Sequence, residues 1–283
     1  GCAQFCSYCI IPYARGTVRS RNPHDIIKEV KRLASNGFKE VVLTGIHVAS
    51  YGRDLKNTSL PDIICKVHEI EGIERIRLSS VEPMIITTEF INTVKRLEKL
   101  CPHYHISLQS GCDDTLKRMN RKYTTSEFGK KVDMIRNNIS DVSITTDVMV
   151  GFPGETDWEF EQTYKFLEGI CFSKMHVFRF SPRKGTPAYS YEGRVPDKVK
   201  EERSSRLIKL SGECALKFHK SFIGRVMPVL FEQDSNRPCF YEGLTPNYIR
   251  VLCKSSGNLE GEIRDSILKE ARQDFMTAEI LVR

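Results

Sequence analysis

Cys2, Cys6 and Cys9 fall within the first nine residues in a C-x3-C-x2-C run, and Tyr8 directly precedes the third. Thiolates at this density bind metal. The run supplies three donors, whereas a closed zinc site takes four and a cubane [4Fe–4S] cluster ordinarily takes four cysteines. Three thiolates on a cubane leave one iron corner open, and an open corner can hold a substrate. A structural zinc is the competing reading, because cysteine-rich spacings are read as zinc sites by default. It would need a fourth donor; His24 and His47 are available, neither at finger-like spacing. The other cysteines (Cys65, Cys101, Cys112, Cys171, Cys214, Cys239 and Cys253) are scattered singly. That is unlike a small disulfide framework, and they read as buried apolar residues of a reducing compartment.

The elements that must position such a loop follow it. Asn22-Pro23 reads as an N-cap with proline at the first helical position. Ile26, Ile27, Val30, Leu33 and Ala34 then share one helical face up to Asn36-Gly37. Glu40 to Thr44 reads as a buried strand. The alternation repeats as a helix from Ser59 to Gly72, a strand over Arg75–Ser79, a helix over Thr88–Leu100 and a strand over Tyr104–Leu108. Thr124-x-x-Glu127 and Thr156-x-x-Glu159 are capping boxes opening helices to Asn138 and Leu167, each followed by a strand, Ser143–Val150 and Lys174–Phe180. Alternating strands and helices predict parallel βαβ units. A long charged helix is expected from Val195-Pro-Asp197 to His219. Residues 220–283 change to short strands, Val226–Phe231, Tyr248–Cys253 and Ala278–Val282, separated by Gly, Asn, Ser and Pro. This is the texture of a small OB-like β-barrel, so the domains are read as 1–219 and 220–283.

In a barrel of parallel strands, ligands meet the carboxyl ends of the strands. The segments there are Thr44-Gly45-Ile46-His47, Ser79-Ser80-Val81-Glu82, Gln109-Ser110-Gly111, Asp147 with Gly151-Phe-Pro-Gly154, and Arg179-Phe180-Ser-Pro-Arg183. All are polar or Gly-bearing. Gly45 could allow close backbone approach, or could simply turn. Glu82 and Asp147 could accept hydrogen bonds from an amine or ribose hydroxyls, or could cap the next helix. The backbone N–H groups from Gly151 onward could face a ligand, or the loop could only feed the Thr156 cap. His47 reads as a polar loop residue and Trp158 as a packing residue. Two basic clusters, Arg15, Arg19, Arg21 and Lys117, Arg118, Arg121, Lys122, lie in expected loops near the open end. They could contact phosphates, or be solvated surface.

Size and charge bound the rest. The 283 residues suffice for one large domain or two smaller ones. The net charge is +7, and residues 219–283 hold nine basic and nine acidic side chains, so the excess lies in 1–218. That permits nucleic-acid binding without establishing it. No apolar run approaches a membrane span and no signal-peptide pattern is present, so the expected location is the cytoplasm. The chain opens on Gly rather than Met, directly at its most chemical motif, and further sequence upstream is expected.

Taken together, these motifs resemble those of radical S-adenosylmethionine (SAM) methylthiotransferases. The stretches that carry the resemblance are Cys2-x3-Cys6-x2-Cys9-Ile-Ile-Pro12, Ala14-Arg-Gly16 with Arg19-Ser-Arg21, Leu43-Thr-Gly45, Leu78-Ser-Ser80 with Glu82-Pro83, Ser107-Leu-Gln-Ser-Gly111, Leu116 to Tyr123, Asp147 with Gly151 to Thr156, and Phe180 to Pro187. The last segment, 221–283, resembles the TRAM RNA-binding module. Leu43 to Leu55 is most similar to the branch acting on N6-threonylcarbamoyladenosine beside the tRNA anticodon. Sister branches act on isopentenyladenosine in tRNA or on an aspartate of a ribosomal protein.

The resemblance implies a partial (β/α)6 TIM-like barrel, its first strand upstream of Gly1, followed by the TRAM barrel. It implies a [4Fe–4S] cluster on Cys2, Cys6 and Cys9, with SAM on the open iron. A second [4Fe–4S] cluster is expected in an N-terminal domain absent from this sequence, so the chain alone is expected not to complete methylthiolation. SAM would lie against Tyr8, Thr44, Gly45, Ser80, Glu82, Gln109, Asp147, Gly151 and Phe180. The tRNA would meet Arg15, Arg19, Arg21, Arg118, Arg121, Lys122, Arg183, Tyr248 and Arg250. A reductant such as flavodoxin or ferredoxin is implied as a partner, and no separate acid–base residue is. The alternative of another class is a non-catalytic RNA-binding protein with a structural metal.

Overall fold

The computed structural model describes residues 1–233 and 240–281. Cys239 and Val282, the latter closing an expected strand, lie outside the described residues. The barrel helices are α1 (Ile11–Arg15), α2 (Pro23–Ser35), α3 (Leu60–His68), α4 (Thr88–Val94), α5 (Asp113–Arg118), α6 (Thr125–Asn138) and α7 (Asp157–Ile170), and α8 (Asp197–Lys220) follows. They interleave with the strands β1 (Glu40–Leu43), β2 (Arg75–Leu78), β3 (His103–His105), β4 (Ser143–Val150) and β5 (Lys174–Arg179).

Local chemistry sets most boundaries. The Asn22 side chain accepts from the His24 N–H at 2.9 Å, with Pro23 in the first turn. Thr124/Glu127 and Thr156/Glu159 form reciprocal capping boxes at α6 and α7. Two expectations are corrected. The helix expected over 88–100 ends at Val94, because the edge of β2 claims the following backbone: the Ile76 N–H donates to Lys99 O at 2.7 Å, and the Cys101 N–H donates to Ile76 O at 2.8 Å. The strand expected over 104–108 is regular only at 103–105; residues 106 and 109 continue as single bridges to Val81 and Val148.

All five strands are parallel. β1 pairs with β2, and β3 with β4 and β4 with β5; the bridges Ile76–Leu100 and Val81–Ile106 join the two sheets. Among the described residues β1 and β5 do not pair with each other, so the arc is an open, partial barrel. The outer edge of β5 is met by α8, whose Ser211 hydroxyl accepts from the Met175 N–H at 2.9 Å. The core lies between strands and helices, where Ile76, Leu78, Ile106, Leu108, Ile144 and Val148 pack. The opposite, concave face is polar. It carries Arg75 and Arg77 on β2, His103 and His105 on β3, Thr145 and Asp147 on β4, and Lys174 and His176 on β5, because successive side chains alternate faces.

Beyond α8, β6 (Val226–Gln233), β7 (Phe240–Leu244), β8 (Arg250–Lys254), β9 (Ile263–Ala271) and β10 (Met276–Ile280) close a barrel in the order β10-β8-β7-β6-β9. Its core contains Val229, Phe231, Val251, Leu268 and Met276. Two strand arginines tie it to the first barrel. Arg75 donates to the carbonyls of Leu244 and Pro228 at 2.8 and 2.7 Å, and Arg77 donates to Pro246 O at 2.9 Å while bridging Glu40 at 3.0 Å. Arg77 also lies 4.8 Å from the Tyr248 ring, which stacks on His103 at 4.3 Å. Burial, reinforced by Arg77, pushes the His103 pKa down to about 3, so it stays neutral in this seam. Replacing Arg75 by Met would strand two carbonyls. A loss of about 1–3 kcal/mol in urea unfolding is expected.

Candidate metallocofactor site

The cysteine loop is held from beneath by the turn after α5. The Ser7 N–H donates to Met119 O at 3.0 Å and its hydroxyl to Arg118 O at 2.8 Å, while the Asn120 side chain donates to Phe5 O at 2.7 Å. Phe5 itself sits at φ 50°, a left-handed conformation that such contacts must enforce. Within the loop the Cys9 N–H donates to Cys6 O at 3.0 Å, and the Gln4 N–H donates to Cys2 Sγ at 3.5 Å. Burial raises the Cys2 pKa, helped by the neighbouring Cys6 and Cys9 thiols. Tyr8 packs edge-on to Phe152 at 6.4 Å, and Phe152 to Phe180 at 5.3 Å. This aromatic cluster fixes the loop against the end of the barrel.

One charged side chain organises the centre. Arg121 pairs with Glu82 at 2.6 Å, donates to Ser107 O at 2.9 Å and to Tyr123 Oη at 2.9 Å, and reaches Cys6 Sγ at 3.4 Å. Its side chain is only 5% exposed. Burial opposes its charge, but Tyr123, Glu82, Tyr8 and Cys6 outweigh burial and raise its pKa. The Arg121 guanidinium thus ties the cysteine loop, at Cys6, to Glu82 and to the Ser107 backbone. His47 is a loop residue as expected; it meets Gln4 at 3.4 Å and the Ser50 hydroxyl, and burial lowers its pKa.

The three thiols suit a cluster better than one ion. A single tetrahedral zinc needs sulfurs about 3.8 Å apart. Among the described residues, the set that gathers donor atoms within 4.8 Å of one another is Cys112, Asp114 and Glu159, not the N-terminal trio. That set is spoken for, since Arg118 bridges both Glu159 oxygens at 2.7 and 3.0 Å. Cys2, Cys6 and Cys9 are therefore the residues that would hold a multi-iron cluster with one corner free of protein.

The other expected residues divide. Thr44, Gly45 and Ser80 lie exposed at the ends of β1 and β2. Gly45 has an ordinary backbone and room for a Cβ, so it is a surface turn and not a forced close approach. Gln109, at the end of β3, adopts φ 74°, a strained conformation for a non-glycine. Asp147 is bonded by His105 at 3.1 Å. Glu82 stands at the N-cap of the short 3-10 helix Pro83–Ile85, with no capping hydrogen bond to its side chain. The loop at Gly151 does not present free N–H groups: that of Gly151 donates to Glu155 at 3.0 Å and that of Gly154 to Gly193 O at 2.8 Å. Phe180 is buried in the aromatic cluster rather than facing a ligand.

Of the residues expected to meet RNA, Arg121 is buried at the cysteine loop, Arg118 bridges Glu159, and Tyr248, 43% exposed, stacks on His103. Arg250 pairs with Glu242. Arg15, Arg19, Arg21, Lys122 and Arg183 are exposed. Trp158, expected to pack, is 62% exposed on α7. The sequence assigned Arg121 to the RNA instead of the cysteine loop, and gave no notice of His105, Lys174 and His176. The alternation in Arg75-Ile-Arg-Leu and Lys174-Met-His-Val-Phe was the available signal for a polar inner face.

Comparison with known proteins agrees with this geometry. Residues 1–167 match the Radical SAM superfamily. The threonylcarbamoyladenosine tRNA methylthiotransferase MtaB of Bacillus subtilis is 40% identical over 267 residues, covering 93% of this chain and 59% of that protein. The tRNA-2-methylthio-N(6)-dimethylallyladenosine synthase of Caldicellulosiruptor saccharolyticus is 42% identical, covering 99% of this chain and 60% of that one. The chain thus spans about three fifths of the length of these relatives. Coproporphyrinogen III oxidase from Escherichia coli, a radical SAM enzyme, superposes with a TM-score of 0.56 over 87% of this chain and 64% of its own, at 11% identity, which shows the shared fold. The chain belongs to the radical SAM superfamily, whose cofactors are a [4Fe–4S] cluster and S-adenosylmethionine.

Proposed function

We propose that this chain is the catalytic and RNA-contacting part of a tRNA methylthiotransferase that modifies C2 of N6-threonylcarbamoyladenosine beside the anticodon. The observation that carries the reading is the loop of three free thiols, Cys2, Cys6 and Cys9, braced by Arg121 and Glu82. When bound, cluster and SAM supply a 5′-deoxyadenosyl radical able to take hydrogen from an aromatic carbon, the hard step that no acid–base pair here could perform. The chain's own residues hold and shield. Arg121 contacts Cys6 Sγ and fixes Glu82 beside it. The aromatic cluster around Phe152 excludes water beneath the loop. His105 orients Asp147 on the concave face of β4.

The name of the Bacillus subtilis relative and the segment Leu43–Leu55 support the threonylcarbamoyl branch. The dimethylallyl reading stands second, on a relative of equal similarity. No helix among the described residues is long and apolar enough to cross a membrane. A cytoplasmic setting, with flavodoxin or ferredoxin as electron donor, suits a SAM-cleaving tRNA enzyme.

For the RNA, the exposed Arg15, Arg19 and Arg21 offer cations with no carboxylate partner among the described residues. Reversing all three to Glu is expected to weaken binding of an anticodon stem-loop. The slope of log affinity against log salt should fall by about 1 for each phosphate that is no longer neutralised. If affinity and slope are both unchanged, the RNA lies elsewhere. A structural-zinc protein would instead keep its RNA affinity with all three cysteines removed, and would form no 5′-deoxyadenosine from SAM and dithionite.

A further inference from the structure

The concave face of β5 presents three side chains in one line: Lys174, His176 and Phe178. Met175 and Val177, between them, turn into the core. The three are exposed, Phe178 by 50%. Among the described residues Lys174 has no ion pair and His176 no hydrogen bond. His105 lies between Asp147, at 3.1 Å, and the Thr145 hydroxyl, at 3.0 Å, and its ring is 5.6 Å from that of His176. His176 is thus backed by an ordered pair and is itself exposed.

We propose that this line is the substrate-reading strip: Phe178 stacks on the target adenine, His176 meets the amide groups of its N6 substituent, and Lys174 takes a carboxylate at the far end. The proposal rests on the tRNA methylthiotransferase reading and adds to it the class of substituent accepted. Residues two apart on a strand are about 6.6 Å apart, so the strip runs about 13 Å from Lys174 to Phe178. That suits a purine carrying an extended, acid-ended chain.

The strip continues into a cavity of 570 Å³ between the two barrels, which Lys174 lines with Thr145 and Tyr248. Its wall carries Lys174 and the carboxylate Asp274, while Arg250 there is paired with Glu242. Stacking on Phe178 is tolerant of the base, and the discrimination comes from the other two residues. An alkenyl substituent would leave the ammonium and the imidazole without partners, which costs affinity.

The test compares three anticodon stem-loops that differ at one adenosine: N6-threonylcarbamoyl, N6-isopentenyl and unsubstituted. Binding to the 283-residue chain is followed by fluorescence anisotropy. The first loop is expected to bind roughly tenfold more tightly than the other two, as one charge-assisted contact would give. Lys174→Met, which keeps the stem and removes the charge, should bring that ratio close to one, and Lys174→Arg should restore it. His176→Ala should reduce the ratio, and Phe178→Leu should weaken all three loops alike. A preference that survives both Lys174→Met and His176→Ala overturns the proposal, as does a preference for the isopentenyl loop. If the chain binds all three loops equally, only the strip is refuted. If it binds none of them, the tRNA reading falls as well.

Discussion

Replacing any one of Cys2, Cys6 and Cys9 by Ala is expected to abolish cluster assembly and, with it, reductive cleavage of SAM. Anaerobically reconstituted wild-type chain should carry about four iron per chain, and each variant less than one. The effect is all-or-none because the loop supplies three thiolates and no spare donor close by: the His47 ring is engaged by Gln4 and Ser50. Thiolate ligation cannot be replaced by a methyl group, and two remaining donors do not hold a cubane. 5′-Deoxyadenosine formed with dithionite should drop to background in all three variants. Wild-type protein binding one zinc and no iron would contradict the cluster assignment outright.

The second large effect is expected at Arg121. Changing it to Leu leaves the largely buried Glu82 without its partner, and strands the Ser107 carbonyl. Breaking a buried pair from one side costs about 3–5 kcal/mol, which corresponds to roughly 10 °C in midpoint for a chain of this size. The double variant Arg121→Leu with Glu82→Gln should recover part of that loss, because the unpaired charge is gone. Cluster content separates structure from chemistry. If the double variant refolds well but binds less iron than wild type, Arg121 acts on Cys6 as well as on stability. A single variant as stable as wild type would show that the pair contributes nothing to the fold.

How much of this was legible beforehand varies by residue. The class of cofactor was, because metal chemistry depends on donor type and spacing, and both are written along the chain. Both capping boxes and the Asn22 cap were, because a cap is closed by atoms within three residues. The end of α4 was not: residues 95–100 retain helical spacing, but the free edge of β2 offers Ile76 as a partner from far upstream. The Gly151 loop read either as N–H groups facing a ligand or as a lead-in to the Thr156 cap, and Glu155, four residues on, accepts the Gly151 N–H. Arg118 and Arg121 read as one basic surface cluster. Three residues apart and close in type, they part in space, one locked on Glu159 and the other buried beneath the cysteines.

The chain's own order of residues determined the kind of cofactor, the βα repeat and the change to a β-barrel after residue 220, since each depends on local spacing or periodicity. Tertiary structure alone decided which cations are free, which carboxylates are already paired, and that the strands are polar on their concave face. Those properties depend on burial and on partners brought together from distant positions. A linear pattern of residue types carries neither, because charge and hydrogen-bonding capacity are spent only when the chain closes on itself.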